Sequence, residues 1–367
     1  MTKLGVLFSV LGVGAGCIPA FAQKQFPNII VMLSDDQGWG DLGFTGNTFV
    51  QTPNIDRIAH EGTILENFYV CPVSSPTRAE FLTGRYHVRS GVNSTTGGGE
   101  RFNLGEKTIA EYFREAGYAT SLFGKWHSGT QYPYHPNARG FEEFYGFCSG
   151  HWGNYWNPVL EHNGEIISGE GFIIDDLTDK ALDYIRDHKE HPFFMFLSYN
   201  TPHSPMQVPD SWWNRVKDRT LSQRATFPEQ EDTTFTKAAL ALAENLDWNI
   251  GRVLSLLHSL DLEQETIVIY FSDNGPNSFR WNGGMKGRKG STDEGGVRSP
   301  FCIRWPGHIR KEAVETQLSG AIDLIPTLLG LAGIEYTPLR KLDGIDWGQR
   351  LLDEKAPAMD RVLYSYW

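Results

Sequence analysis

Four short apolar runs each end in a polar cluster, and that pairing constrains the fold more than any other feature of the chain. Residues 28–33 run into Ser34-Asp35-Asp36, 119–123 into Gly124-Lys125-Trp126-His127, 193–199 into Thr201-Pro202-His203, and 266–271 into Ser272-Asp273-Asn274-Gly275. Unbroken apolar runs of this length read as strands buried on both faces. Helical patterns lie between them: 108–116 closing at Gly117, 177–188 following the acidic pair Asp175-Asp176, and 237–260 with apolar residues at helical spacing. Strands alternating with helices predict an α/β fold with a mostly parallel central sheet sandwiched by helices. In open sheets of this kind ligands bind beyond the carboxyl ends of the strands, so the four clusters are expected to meet at one site.

At 367 residues the chain exceeds the roughly 250 to 300 that a single core usually accommodates, which predicts one large domain with a smaller appendage. Hydrophobic residues make up 40% and charged residues 21%, which excludes a disordered chain. Residues 204–235 are polar and punctuated by proline and read as a surface excursion. Residues 1–22 read as an export leader: Lys3 supplies the charged start, Leu4 to Ile18 the apolar run, and Ala20-Phe21-Ala22 a small-x-small cleavage site. The run is interrupted by glycines and short for a bilayer span, so no integral membrane segment is expected after cleavage. The mature protein is expected to be exported, periplasmic or secreted, with lipoprotein anchoring through Cys17 the lesser alternative. Cleavage leaves Cys71, Cys148 and Cys302, an odd count that argues against a disulfide framework. The net charge of −11 becomes one unit more negative once Lys3 is removed. Such a chain is not steered toward nucleic acid, and any anionic substrate needs a local cationic cluster.

The stretch Ser74-Ser75-Pro76-Thr77-Arg78, followed by Ala79-Glu80-Phe81-Leu82-Thr83-Gly84-Arg85, resembles the signature of type I sulfatases, members of the alkaline-phosphatase-like superfamily. The resemblance extends from about Pro27 to Trp305. In that family a Cys or Ser at the position of Ser74 is oxidised to formylglycine, whose hydrate is the nucleophile, so the resemblance implies a maturation enzyme that accepts Ser. The residues themselves read as the start of a helix, with Ser75 capping it and Pro76 in its first turn. A helix start offers free N–H groups to a sulfate. Cys71 does not fit as a rival nucleophile, because Val73 and Ser75 stand where Pro and Arg would be required.

The resemblance assigns metal binding to Asp35, Asp36, Asp273 and Asn274, with the residue at position 74 beside them. Oxygen donors without Cys or clustered His suit one hard divalent cation, calcium first and magnesium second. The alternative is that Asp-Asp and Asp-Asn-Gly are turn formers after strands. By resemblance Arg78 orients the hydrate, Lys125 and Lys289 contact sulfate, His127 hydrogen-bonds the formylglycine hydroxyl, and His203 protonates the leaving oxygen. Lys125 and His127, two apart, share one side of the chain if the backbone stays extended. Lys286 and Arg288 compete with Lys289 for its role. The cluster His151-Trp152-Gly153-Asn154-Tyr155-Trp156 is a candidate saccharide contact, with core packing the alternative.

The resemblance implies hydrolysis of sulfate esters on a sulfated small molecule or saccharide. A phosphodiesterase or phosphonate monoester hydrolase on the same scaffold is the first rival, and a silent secreted binding protein with unmodified Ser74 the second. The expected organisation is a leader at 1–22, a catalytic domain at 23–345, and at 346–367 the start of a C-terminal antiparallel subdomain that is absent or truncated. Leu363 to Trp367 reads as part of a strand.

Overall fold

A computed structural model describes residues 1–2 and 26–367. The leader's charged start, apolar run, Cys17 and cleavage site lie outside the described residues. Among the described residues there are twelve strands: β1 Asn28–Ser34, β2 Thr63–Leu65, β3 Phe68–Tyr69, β4 Ala119–Lys125, β5 Glu143–Phe147, β6 Val159–His162, β7 Glu165–Ser168, β8 Phe193–Ser198, β9 Thr266–Ser272, β10 Phe301–Arg304, β11 Ala313–Glu315 and β12 Ser319–Gly320. Ten of them form one sheet in the order β11-β2-β10-β9-β1-β8-β4-β5-β6-β7, and β3 pairs with β12. The centre, β9-β1-β8-β4-β5, is parallel throughout; β10, β6 and β7 join antiparallel.

The four apolar runs are β1, β4, β8 and β9, the buried middle of this sheet. Every residue of β1 is buried, and its side chains alternate between two cores. Ile29, Val31 and Leu33 face the helices Ser74–Thr83, Ile109–Glu115 and Leu324–Ala332, whereas Ile30 and Met32 face Pro53–His60, Ile173–Asp187 and Thr233–Ser259. Two-sided burial explains why these strands carry unbroken apolar runs rather than alternation.

The helices follow the sequence reading with shifts at their starts. Thr108 caps Ile109–Glu115 by accepting from the Glu111 N–H, while Glu111 returns a bond to the Thr108 N–H at 2.7 Å. The helix Ile173–Asp187 begins a turn earlier than expected, placing Asp175 and Asp176 inside its first turn, where negative charge suits the dipole. The excursion at 204–235 is less irregular than expected: it contains the helix Asp210–Val216, and Val216 is buried beside Phe49 and Leu240. Leu363–Trp367 forms no strand. It has no ladder partner among the described residues, and its rings rest on the body instead, Tyr364 against Tyr86 and Tyr366 against His87. Among the described residues no antiparallel sheet follows the helix Gly348–Leu352, and no helix is long and apolar enough to cross a membrane. Cys71, Cys148 and Cys302 are all buried and free.

Close strand approach makes glycine necessary at Gly124, as it does at Gly146 on the next strand. Gly124 has φ 113°, and a Cβ there would run into the Ser198 carbonyl of the neighbouring strand. Gly124→Ala combines left-handed strain with overpacking and is expected to cost roughly 3 kcal/mol, read as a lowered denaturation midpoint.

Candidate active site

Parallel register brings the polar clusters together. Ser34 pairs with Ser272, Leu33 with Ser198 and Gly124 with Ser198, so β1, β9, β8 and β4 end at one edge. Asp35-Asp36 therefore lies beside Asp273-Asn274. The Asp36 N–H donates to Asp273 Oδ1 at 3.2 Å and Asn274 Nδ2 donates to Asp36 Oδ1 at 2.8 Å. Asp36 has φ 64°, a conformation Asp tolerates better than most residues. The segment carrying His203 joins through Asp35 N–H to the Thr201 carbonyl, 3.1 Å.

The helix Ser74–Thr83 points its N-terminus at this edge, held by Phe81 packed edge-on against Phe196 and Phe271. The expected cap at Ser75 is not observed. Val73 is the N-cap with extended backbone, Ser74 and Ser75 are the first two helical residues, and Ser75 Oγ donates to the Ser94 carbonyl instead. Ser74 Oγ donates to Asp273 Oδ2 at 2.5 Å and accepts from Arg78 Nε at 2.8 Å. Arg78 is fully buried, and its other donors reach Asp273 Oδ2, the Lys125 carbonyl and Ser198 Oγ at 3.0, 3.0 and 2.6 Å.

Two lysines complete the cluster. Lys125 Nζ meets Asp35 Oδ2 at 2.6 Å and Lys289 Nζ meets Asp36 Oδ1 at 2.7 Å. Lys286 and Arg288 turn away, the first to Asp293 and the second over the Phe279 ring. Burial acts to raise the Asp35 carboxyl, but Lys125, His203 and Arg78 outweigh it and hold the group below its ordinary value. Burial lowers the Lys125 ammonium despite Asp35 opposite, with Arg78 and Lys289 adding like-charge repulsion. For Lys289 burial loses to Asp36 and Asp35, which keep its ammonium above its ordinary value.

The two histidines differ in which nitrogen is free. His127 Nε2 lies 2.8 Å from the Thr95 carbonyl, which can only accept, so Nε2 carries the proton and Nδ1 is a bare buried lone pair. Burial first, then Lys125 and Arg78, push His127 well below its ordinary value, so it is neutral near pH 7. The backbone there is left-handed, φ 58°, not extended, so His127 does not share a side with Lys125 by strand alternation; it reaches the edge through a turn in which its N–H donates to the Cys148 carbonyl. His203 Nδ1 donates to the Ser204 carbonyl at 2.6 Å, which leaves Nε2 facing the cluster, 3.5 Å from Asp36 Oδ2.

Three buried oxygens, Asp35 Oδ1, Asp36 Oδ2 and Asn274 Oδ1, have no hydrogen-bond partner among the described residues. Each such group costs about 1 to 3 kcal/mol if left unpaired. All-oxygen donors of this kind fit a hard divalent cation, and Asp35, Asp36 and His203 offer ligand atoms within 4.8 Å of one another. Asp273 fits less directly, since its Oδ2 already accepts from Ser74 and Arg78.

A buried clamp that the sequence reading missed sits behind the aspartates. Arg280 Nε and Nη2 donate to the Asp41 carboxylate at 2.8 and 2.6 Å, and Nη2 also donates to the Asp36 carbonyl at 2.9 Å. The Gly38 N–H donates to Asp41 Oδ2 at 2.8 Å. The two charged partners are 239 residues apart, and no local motif marks them as a pair. The aromatic cluster divides: Trp152 stacks on Phe147, Tyr155 is buried with its hydroxyl 2.8 Å from the His203 carbonyl, and Trp156 stands 46% exposed beside Phe172. His151 faces His203 with ring centroids 5.3 Å apart.

Strand ends that gather carboxylates, cations and a serine at a helix start define a hydrolase site for an anionic ester. The sulfatase family model matches residues 27–334. The N-acetylgalactosamine-6-sulfatase of Mus musculus is 32% identical over 99% of this chain and 72% of the relative, and that of Homo sapiens is 32% identical over 97% and 70%. The crystal structure of Ps i-CgsB in complex with k-i-k-neocarrahexaose superposes with a TM-score of 0.79 at 31% identity, covering 89% of this chain and 76% of that one. The chain belongs to the sulfatase family. It is a sulfuric ester hydrolase.

Two outcomes follow from this geometry. Replacing Arg280 by Lys removes the fork that holds Asp41 and the Asp36 carbonyl together, and if these oxygens hold a divalent cation, its titration by calorimetry is expected to show roughly ten- to hundredfold weaker binding. The second concerns pH. Because His127 is depressed in the fold, the unfolded chain takes up a proton that the folded chain refuses once pH falls below 6.5. Stability is therefore lost from 6.5 down to the folded pKa, at up to about 1.4 kcal/mol per pH unit. His127→Gln is expected to flatten that acid-side loss, measured as a smaller drop in melting temperature between about pH 7.5 and about pH 5.5.

Proposed function

We propose that the chain hydrolyses sulfate esters on a saccharide, with Ser74 in its formylglycine form and one divalent cation, calcium in first place, held by Asp35, Asp36, Asp273 and Asn274. The observation that carries this reading is the setting of Ser74, whose Oγ lies between Arg78 and Asp273 at the meeting point of the strand ends. The oxidised residue supplies a geminal diol, one hydroxyl to attack sulfur and a second to expel sulfate from the enzyme. The cation supplies polarisation of the sulfate ester and lowers the pKa of a neighbouring hydroxyl.

The remaining work falls to the chain's own side chains. Arg78 orients the oxygen at position 74 and offsets the charge of Asp273. Lys125 and Lys289 stabilise charge on the sulfuryl oxygens. His203 donates its Nε2 proton to the departing alcohol, and the bare Nδ1 of His127 accepts the proton of the second hydroxyl as sulfate leaves. The saccharide preference is supported by the relative named N-acetylgalactosamine-6-sulfatase and by the structure holding a neocarrahexaose, both above 30% identity. Trp156, exposed on the loop that also carries His151, is the aromatic face available to a sugar ring. Export to the periplasm or outside the cell, and a maturation enzyme that accepts Ser, belong to the same reading.

The test joins a mass and a rate. Protein from the native host is expected to give a Ser74-containing peptide lighter by two hydrogens, and Ser74→Ala to abolish turnover. His203→Ala is expected to reduce turnover of a sugar sulfate roughly 100- to 10,000-fold while sparing p-nitrophenyl sulfate, whose leaving group needs no acid. An unshifted mass in active protein, or equal loss on both substrates, would overturn the assignment it addresses.

A further inference from the structure

Behind the helix that carries Ser74 lies a second group of metal-ligating side chains that the hydrolytic site does not use. A sulfur of Cys71, a carboxylate oxygen of Glu80 and a ring nitrogen of His87 all lie within 4.8 Å of one another. They are 5%, 6% and 3% exposed. His87 Nδ1 lies 2.9 Å from the Val92 carbonyl, so it carries the proton, and Nε2 remains a buried lone pair without a hydrogen-bond partner among the described residues. Glu80 accepts one backbone bond, from the His87 N–H at 3.2 Å, and faces the Cys71 thiol, while the charges that act on its carboxyl are those of Asp343 and Asp323, both negative. A buried carboxylate is normally paired with a cation or bound to a metal. Among the described residues no lysine or arginine takes that place.

We propose that Cys71, Glu80 and His87 form a binding site for a borderline transition-metal ion of the zinc class, separate from the oxygen-lined cluster at the sheet edge. The donor set is one thiolate, one carboxylate and one imidazole, which suits zinc and does not suit calcium or magnesium. Charge balances: the thiol and the carboxyl each release a proton to solvent as the ion binds, and the two negative charges formed offset its two positive ones. Because both groups must lose a proton to hold the ion, binding strengthens as pH rises. The site closes a short circuit. Cys71 precedes the helix Ser74–Thr83, Glu80 lies within it and His87 opens the next helix, so one ion pins both ends of the segment that presents Ser74.

The rival thiol cluster, His135, Cys148 and Glu161, differs in the property that matters. Its carboxylate is already met by His135 Nε2 at 2.5 Å, and its His and Glu are partly exposed.

Cobalt(II) added to the purified full-length protein is the probe, because a thiolate–cobalt bond produces a charge-transfer band in the near ultraviolet that oxygen ligands do not. The expected result is such a band at one equivalent, displaced by zinc. It should be lost in Cys71→Ser, unchanged in Cys148→Ser and unchanged in Asp35→Asn, which alters only the hydrolytic cluster. Glu80→Gln, of the same shape, and His87→Gln test the site independently of whether Cys71→Ser folds. Each is expected to weaken zinc binding at least about tenfold by competition titration, with folding checked by circular dichroism. A band that follows Cys148, no band in the unaltered protein, or folded Glu80 and His87 variants with unchanged zinc affinity would overturn the proposal. None of these outcomes depends on Ser74 being modified.

Discussion

One guanidinium holds the site together. Arg78 is fully buried, and its donors reach Ser74 on its own helix, Asp273 after β9, the Lys125 carbonyl at the end of β4 and Ser198 at the end of β8. A fork with five N–H donors in one plane can join four segments in this way, whereas an ammonium cannot. Burying such a charge is tolerable only because Asp273 is opposite it. Removing either partner leaves the other uncompensated in a low-dielectric interior, at a cost of about 3 to 5 kcal/mol. The position of the Ser74 side chain is therefore coupled to the sheet edge itself.

Around that bridge the charges nearly cancel. Asp35, Asp36 and Asp273 face Arg78, Lys125 and Lys289, and the lysines lie on the two aspartates whose second oxygens are unpartnered. Such an arrangement is poised between two partners for the same carboxylates. A divalent cation bound there would engage the free oxygens and leave the lysine ammonium groups available to the oxygens of an anionic ester. The overall acidity of the chain, net −11, makes this local positive charge the element that admits a sulfate at all.

How much was legible follows from burial. The strands buried on both faces, β1, β4, β8 and β9, announce themselves as apolar runs, and the polar residues following them gather at one edge of the sheet. The peripheral strands were not readable: β6 is mixed in burial and β7 mostly exposed, while β2 and β11 are only three residues long. Ser75 reads as a cap by composition, yet its hydroxyl finds the Ser94 carbonyl, a partner no local pattern reveals. The same holds for Arg280 and Asp41, whose pairing depends on two loops meeting behind the sheet edge.

From its residues alone the chain determined the layer architecture, the family resemblance and the chemical types at the site, because those depend on local periodicity and on motifs a few residues long. Tertiary structure decided the rest: which lysine of the 286–289 segment reaches Asp36, which nitrogen of each histidine is free, which oxygens lack partners, and that Trp156 rather than Tyr155 meets solvent. These are properties of residues far apart in sequence, set by strand register and by burial, and a linear pattern carries no record of them.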